Sequence, residues 1–172
     1  MEDKKREDFK HTAVPYFNII YNSAYRMTGN KADAEDLVQD VFLSAYKSFH
    51  QFESGTNCRA WLFKILKNTF INKIKKAGRE AKQVRELGGS AVREFNSSTP
   101  VDKGLDETIQ NALNRLPEEF RMAIVLCDVE GFSYQEISEI MECPVGTVRS
   151  RISRGRQLLA EDLSAYSRQL LP

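Results

Sequence analysis

Apolar residues at Phe17, Ile20, Ala24 and Met27 recur at spacings of three and four, the stripe of a helix that buries one face. Pro15 fits its first turn and Gly29-Asn30 ends it. A longer stripe follows, in which Ala34, Leu37, Val38, Val41, Phe42, Ala45, Tyr46 and Phe49 keep the i, i+3, i+4, i+7 pattern over more than four turns. Beyond the polar loop Glu53-Ser54-Gly55-Thr56-Asn57, the spacing predicts a third helix from about Arg59 to Gly78. Trp61, Leu62, Ile65, Leu66 and Phe70 form its apolar face, and Asn57 or Thr56 serves as N-cap.

From Arg79 to Gly104 the periodicity fades into Gly88-Gly89-Ser90 and Asn96-Ser97-Ser98-Thr99-Pro100, a composition too polar to bury the apolar surface that ordering requires. This reads as a flexible linker, able to reach roughly 80 Å when extended and averaging about 25 to 30 Å as a coil. Helical patterning then resumes. Leu105, Ile109, Ala112, Leu113 and Leu116 form a stripe broken by Pro117, and a second helix is predicted from about Glu118 to Glu130 with Gly131 after its end. Ser133-Tyr134-Gln135-Glu136 spells a capping box that opens a short helix carrying Ile137, Ile140 and Met141. After the break at Glu142-Cys143-Pro144, a last helix places Val148, Ile152, Gly155 and Leu159 on one face. The chain therefore reads as all-α: two small helical domains, 1–80 and 105–172, joined by a flexible linker over 81–104.

Composition narrows the class. With 172 residues, 41% hydrophobic and 28% charged, the chain has enough apolar material for a core in each half and is not a disordered tail. Nine Gly, five Pro and the scarcity of alternating Val/Ile/Thr segments leave little for a sheet. No apolar run approaches the roughly 20 residues of a membrane span, and Met1 to Lys10 is charged rather than a signal sequence, so a cytoplasmic protein without membrane insertion is expected. Cys58, Cys127 and Cys143 are odd in number and lack CxxC spacing, and only His11 and His50 could add imidazole. This predicts three buried thiols and neither a disulfide framework, a metal site nor a cofactor.

The near balance of 25 basic and 24 acidic residues hides local blocks of opposite sign. A short capped helix, a tight turn and a longer basic helix make a helix-turn-helix, the geometry that lays its second helix in the major groove. Many such motifs place Gly in the turn where this chain has Glu142. From Val145 to Gln157 there are four Arg and no acid, and guanidinium forks bond guanine edges or clasp phosphates. The third helix and its extension, Lys64 to Arg85, carry eight basic residues including Lys67 and Lys75 against the single acid Glu80, a local charge of +7 that attracts phosphates. Trp61, Phe63 and Phe70 lie beside this track, where rings either stack on unpaired bases or simply fill the core, and the polar loop from Phe52 to Asn57 offers a pocket for an extruded base. The second helix differs in sign. Asp33, Glu35, Asp36 and Asp40 favour the dipole of its first turns, while Asp36, Gln39, Asp40 and Lys47 line up opposite the apolar stripe as a surface for a protein partner.

Three stretches in order resemble the extracytoplasmic-function sigma factors of bacterial RNA polymerase. They are Asp33 to Leu43 (DAEDLVQDVFL), Ala60 to Ile65 (AWLFKI) with Asn68-Thr69, and Gly131 to Ile137 (GFSYQEI) continuing through Pro144 to Arg151 (PVGTVRSR). The resemblance implies a region-two domain that binds the polymerase clamp and melts the minus-ten element, and a region-four domain that binds the minus-thirty-five element. It implies no enzymatic activity. Carried over by position, Asp36, Gln39 and Asp40 match clamp-binding residues. Asn68 and the loop holding Phe52, Ser54, Thr56 and Asn57 match the part that holds a flipped minus-ten base, with Lys64, Lys67 and Lys75 on the adjoining basic track. Arg149, Ser150, Ser153, Arg154 and Arg156 match the recognition helix, and Pro144, Gly146 and Thr147 match positions that touch phosphates at its start. Some relatives carry an aromatic residue where this chain has Ser153, so their promoter sequences do not transfer. Gly55-Thr56-Asn57 and Asn68 to Asn72 further resemble the subgroup paired with zinc-binding, redox-sensing anti-sigma proteins.

The implied partners are core RNA polymerase, promoter DNA and an anti-sigma protein. The alternative from the residues alone is a helix-turn-helix regulator that acts without joining polymerase, for which the first half would more naturally supply dimerisation or ligand binding. An enzyme lacks support, since no Ser/His/Asp or Cys/His arrangement and no phosphate-binding glycine loop is present. An RNA-binding module is argued against by the major-groove motif.

Overall fold

Eight α-helices carry the chain in the computed structural model, which describes residues 2–89 and 105–170. No strand occurs among those residues. The helices are α1 (Glu2–Thr12), α2 (Phe17–Thr28), α3 (Lys31–Ser48), α4 (Cys58–Glu86), α5 (Leu105–Arg115), α6 (Glu118–Ile124), α7 (Tyr134–Met141) and α8 (Val145–Leu170).

The first domain follows the stripes. α2 buries Ile20, Ala24 and Met27, and α3 buries Ala34, Leu37, Val38, Val41 and Ala45 against Leu62, Leu66 and Phe70 of α4. Between α2 and α3 the chain turns at Gly29, whose φ of 81° is left-handed. A Cβ there would also run into the side chain of Asn114, so both the backbone and the space require glycine. Asn30 then caps α3, its Oδ1 accepting the Asp33 N–H at 2.8 Å. Of the two caps expected for α4, Asn57 is used, accepting the Ala60 N–H at 3.0 Å.

Three boundaries differ from the periodicity. Pro15 sits in a separate 3₁₀ turn, Val14–Tyr16, ahead of α2. α1 escaped the pattern because it buries one residue only, Phe9, whose ring meets Tyr46 and Phe49 edge-on at 5.3 Å. α4 runs eight residues past Gly78. A glycine inside a helix costs only about 1 kcal/mol relative to alanine, and the following Arg79 to Glu86 is rich in helix formers with i,i+4 pairs at Lys76–Glu80 and Lys82–Glu86, each 4.0 Å. The rest of the expected linker, 90–104, lies outside the described residues.

In the second half the helix predicted from Glu118 to Glu130 is α-helical only to Ile124. It then widens into a π turn over Val125–Val129, with the Glu130 N–H reaching the Val125 carbonyl at 3.0 Å. The capping box of α7 is complete: Ser133 N–H donates to Glu136 Oε2 at 2.8 Å, and Ser133 Oγ accepts the Glu136 N–H at 3.2 Å. The Ser133 amide holds the Glu136 carboxyl below its usual range. α7 ends at Glu142, a non-glycine residue in the left-handed region with φ 53° and ψ 47°, a conformation that costs roughly 1–2 kcal/mol for an L-residue. α8 packs on α6 through Gly155, where a Cβ would stand 2.9 Å from the Ile124 side chain.

The two halves meet along α4 and α2. Phe63 of α4 and Phe132 are both buried and pack edge-on with centroids 5.1 Å apart, and the Arg59 guanidinium lies 4.1 Å above the Phe132 ring. Polar contacts cross the same seam. Arg59 bonds the Glu130 carboxylate at 2.8 Å, Ser23 donates to Glu130 at 2.6 Å, Arg26 pairs with Asp106 at 2.6 Å, and Arg121 donates to the Met27 carbonyl at 2.5 Å. The sequence pattern does not disclose this packing. The expectation of three buried thiols is corrected: Cys58 is buried, but Cys127 and Cys143 are half-buried because they border the surface arginines Arg156 and Arg151.

Candidate nucleic-acid and protein-binding surfaces

α8 presents Gly146, Arg149, Ser150, Ser153 and Arg154 at helical spacing on one exposed face, opposite the buried Val148, Ile152 and Gly155. Exposed Pro144 and half-buried Thr147 stand at its first turn. Helix N-termini and guanidinium groups together suit phosphate oxygens, and side chains on the first two turns of such a helix reach base edges. The arginines are not equivalent. Arg149 has no side-chain partner among the described residues, and Arg154 is held only by Gln157 at 2.9 Å. Arg156, seven residues beyond Arg149 and also exposed, is instead engaged by Asp128 of the π turn, its Nη2 and Nε donating at 2.5 and 3.1 Å. That pairing raises the Arg156 pKa and holds the Asp128 carboxyl below its usual range. Arg151 is similarly tied to Glu119 at 2.7 Å. Nothing in the sequence pattern marks Asp128 or Glu119 as partners, because both pairings span about thirty residues.

The second basic surface is α4 with the loop before it. Phe52 lies between Phe49 and Trp61, with centroids 5.9 and 5.0 Å away, so these rings brace one another as part of the partly buried shell around the core. Ser54, Thr56 and Asn57 are exposed, with Thr56 Oγ1 anchored on the Glu53 carbonyl at 2.7 Å. Asn68 and Lys75 are exposed on α4. Lys64 and Lys67 are not free. Both ammonium groups pair with Glu142 of the helix-turn-helix turn, at 3.1 and 2.9 Å, and Lys67 is 5% exposed. The hydrogen bonds from Lys67 and Lys64 hold the Glu142 carboxyl below its usual range. Asn57, Trp61 and Lys64 from this side, with Glu136 and Glu139 of α7 from the other, line a cleft of about 320 Å³.

The third surface is the solvent side of α3. Asp36 and Gln39 are exposed and Asp40 is partly so. Lys73 of α4 bridges the two carboxylates at 2.5 and 2.6 Å. Burial works against the charge of Lys73, and the hydrogen bonds to Asp36 and Asp40 outweigh it and raise its pKa. Phe17, Tyr21, Val38 and Gln39 border a shallow apolar hollow beside this strip, with Phe17 and Leu43 about half exposed. Among the described residues no group of three or more His, Cys, Asp or Glu is placed to hold a metal ion, and no helix is long and apolar enough to cross a membrane.

Comparison with known proteins gives this arrangement a lineage. Residues 15–80 match the family described as Sigma-70 region 2, and residues 106–159 match Sigma-70, region 4. The chain is 39% identical to the ECF RNA polymerase sigma factor SigE of Mycolicibacterium smegmatis over 86% of its own length, a match spanning 58% of that relative. It is 35% identical to the ECF RNA polymerase sigma factor EcfG of Rhodopseudomonas palustris, covering 93% of this chain and 85% of the relative. Its structure superposes with a TM-score of 0.78 on the sigma factor RpoE of Bartonella quintana, solved in complex with the anti-sigma factor NepR, at 34% identity over 92% of this chain and 98% of that one. Two matched regions in order on one chain, and relatives aligned over most of their length, establish that the chain belongs to the ECF family of RNA polymerase sigma factors.

Proposed function

We propose that this chain is a promoter-specificity subunit that joins core RNA polymerase, places it on particular promoters and assists their opening, with no chemical reaction of its own. The observation that carries the reading is the presence on one polypeptide of three surfaces of different character: the exposed strip Asp36, Gln39 and Asp40, the Asn68 side of α4, and the free face of α8 bearing Arg149 and Arg154. The first suits a basic or polar patch on polymerase. Asn68, with both donor and acceptor atoms, suits the edge of an unpaired minus-ten base together with the Phe52–Asn57 loop and the basic track of Lys64, Lys67 and Lys75. The α8 face, with Pro144, Gly146 and Thr147 toward phosphates and Ser150 and Ser153 among the exposed groups, suits the major groove of the upstream element. Its place of work is then the cytoplasm, where polymerase and promoter meet.

Control by an anti-sigma protein fits the same surfaces, and the Bartonella relative was solved with such a partner. We assign the partner to the zinc-binding, redox-sensing class on the likeness around Gly55-Thr56-Asn57 and Asn68 to Asn72, which leaves the metal and the switch with the partner. Run-off transcription with purified core polymerase on genomic promoter fragments tests the main reading. Discrete new start sites that depend on this chain support it, and failure to bind core or to direct any start site overturns it.

A further inference from the structure

We infer that Glu142 is an intramolecular stand-in for a DNA phosphate, a latch by which the second domain masks the minus-ten surface of the first in the free protein. The inference rests on the proposed function, since it takes Lys64 and Lys67 as DNA-binding groups. Three observations on the structure converge. The carboxylate of Glu142 accepts from the Lys67 ammonium at 2.9 Å, the length of a charge-assisted bond such as one to a phosphate oxygen, and pairs with the Lys64 ammonium at 3.1 Å. Glu142 sits in left-handed backbone, where glycine would be unstrained, so the position bears a conformational cost for a side chain whose carboxylate, among the described residues, meets these two lysines alone. Lys67 is 5% exposed although it belongs to the basic track, and its burial comes from the packing of α7 and the turn onto α4.

The remaining acids extend the mimicry. Glu136, whose carboxylate also closes the α7 capping box, and Glu139 line the adjoining cleft together with Lys64, Asn57 and Trp61, adding acidic groups on the α7 side of the basic track. Phe63 against Phe132 and Arg59 against Glu130 hold the halves in register around the latch. An ammonium group engaged by Glu142 cannot at once bind a phosphate in the same place. Closure and minus-ten binding therefore exclude each other, and whatever separates the domains raises the affinity of α4 for DNA by linkage.

The test uses the full chain without polymerase, as wild type and as Glu142→Gln, with Glu161→Gln on α8 as a control for the change in charge. Acylation of lysines by a water-soluble activated ester, read by mass spectrometry, reports access, and fluorescence anisotropy with a short oligo(dT) strand reports binding. In the wild type Lys67 should react far more slowly than the exposed Lys75. Glu142→Gln should speed its labelling and tighten oligo(dT) binding by at least about fivefold, the lower end of ordinary coupling between sites, while Glu161→Gln changes neither. Labelling of Lys67 at the Lys75 rate in the wild type overturns the inference, as does a Glu142→Gln chain with unchanged labelling and binding. Either result with normal run-off transcription by the reconstituted holoenzyme removes the latch and leaves the proposed function standing. Loss of all promoter-directed transcription in the wild-type holoenzyme removes the function itself.

Discussion

Arg121 of α6 reaches across the seam between the two halves and donates through Nη1 to the Met27 carbonyl at the end of α2, at 2.5 Å. Its Nη2 closes on the carbonyls of Asn114 and Leu116 at 2.7 and 3.0 Å. Burial lowers its pKa and the nearby Glu118 opposes that fall, so the group is a buried cation held by backbone oxygens rather than by a carboxylate. Removing it leaves three carbonyls short of a donor.

Arg121→Leu should therefore destabilise the fold by about 3 kcal/mol, within the range for stripping a charged donor from buried acceptors. Urea denaturation followed by circular dichroism measures it. A loss below about 0.5 kcal/mol would mean that water replaces the guanidinium.

Neutralising the α3 strip by Asp36→Asn with Asp40→Asn should weaken core polymerase binding at least about tenfold, equivalent to ~1.4 kcal/mol. The effect should shrink as salt rises. Charge reversal would be a poorer probe, because two new lysines would crowd Lys73. The ion pair itself is largely solvated at Asp36, so thermal stability should move little. Unchanged core binding in a pull-down would remove these residues from the interface.

The arginines of α8 should behave differently from one another. Arg149→Ala, which disturbs no internal partner, should cost about 1–3 kcal/mol at one base pair if the guanidinium reads a guanine. If it contacts only phosphate, all sequences should weaken alike with a shallower salt slope. A scan of single-base variants of the upstream element separates the two outcomes.

Arg156 is held by Asp128, whose carboxyl pKa is depressed chiefly by the hydrogen bond from that arginine. A depressed acid stabilises the folded state above the ordinary carboxylate pKa, and that contribution disappears as pH falls through the folded value. Acid denaturation of Asp128→Asn should consequently be less steep than that of the wild type below about pH 4, with no difference in slope near neutrality. Equal acid slopes would show the pairing to be absent in solution.

Asn68 is exposed on α4 and makes no side-chain hydrogen bond among the described residues. Asn68→Ala should leave folding and core binding unaltered, yet slow promoter opening and relax preference at one minus-ten position. Permanganate footprinting on duplex and pre-melted templates distinguishes these steps, and an unchanged opening rate with unchanged preference would return Asn68 to a plain surface role.

The sequence by itself determined the elements whose stability is local. The stripes of α2 and α3, a cap for α4 at Thr56 or Asn57, the Ser133–Glu136 box and the positions of the arginines on α8 follow from periodicities and short-range hydrogen bonds, which depend on neighbours within a few residues. The family resemblance added roles to those positions. Only the tertiary structure decided what depends on distant parts of the chain. α1 rests on the single buried ring of Phe9, and the π turn arises within a helical stretch that periodicity reads as continuous. The pairings Lys73 with Asp36 and Asp40, Asp128 with Arg156, and Glu142 with Lys64 and Lys67 join residues 28 to 78 positions apart. Long charged side chains choose partners through helix packing, and a pattern read along one chain carries no record of which helix faces which.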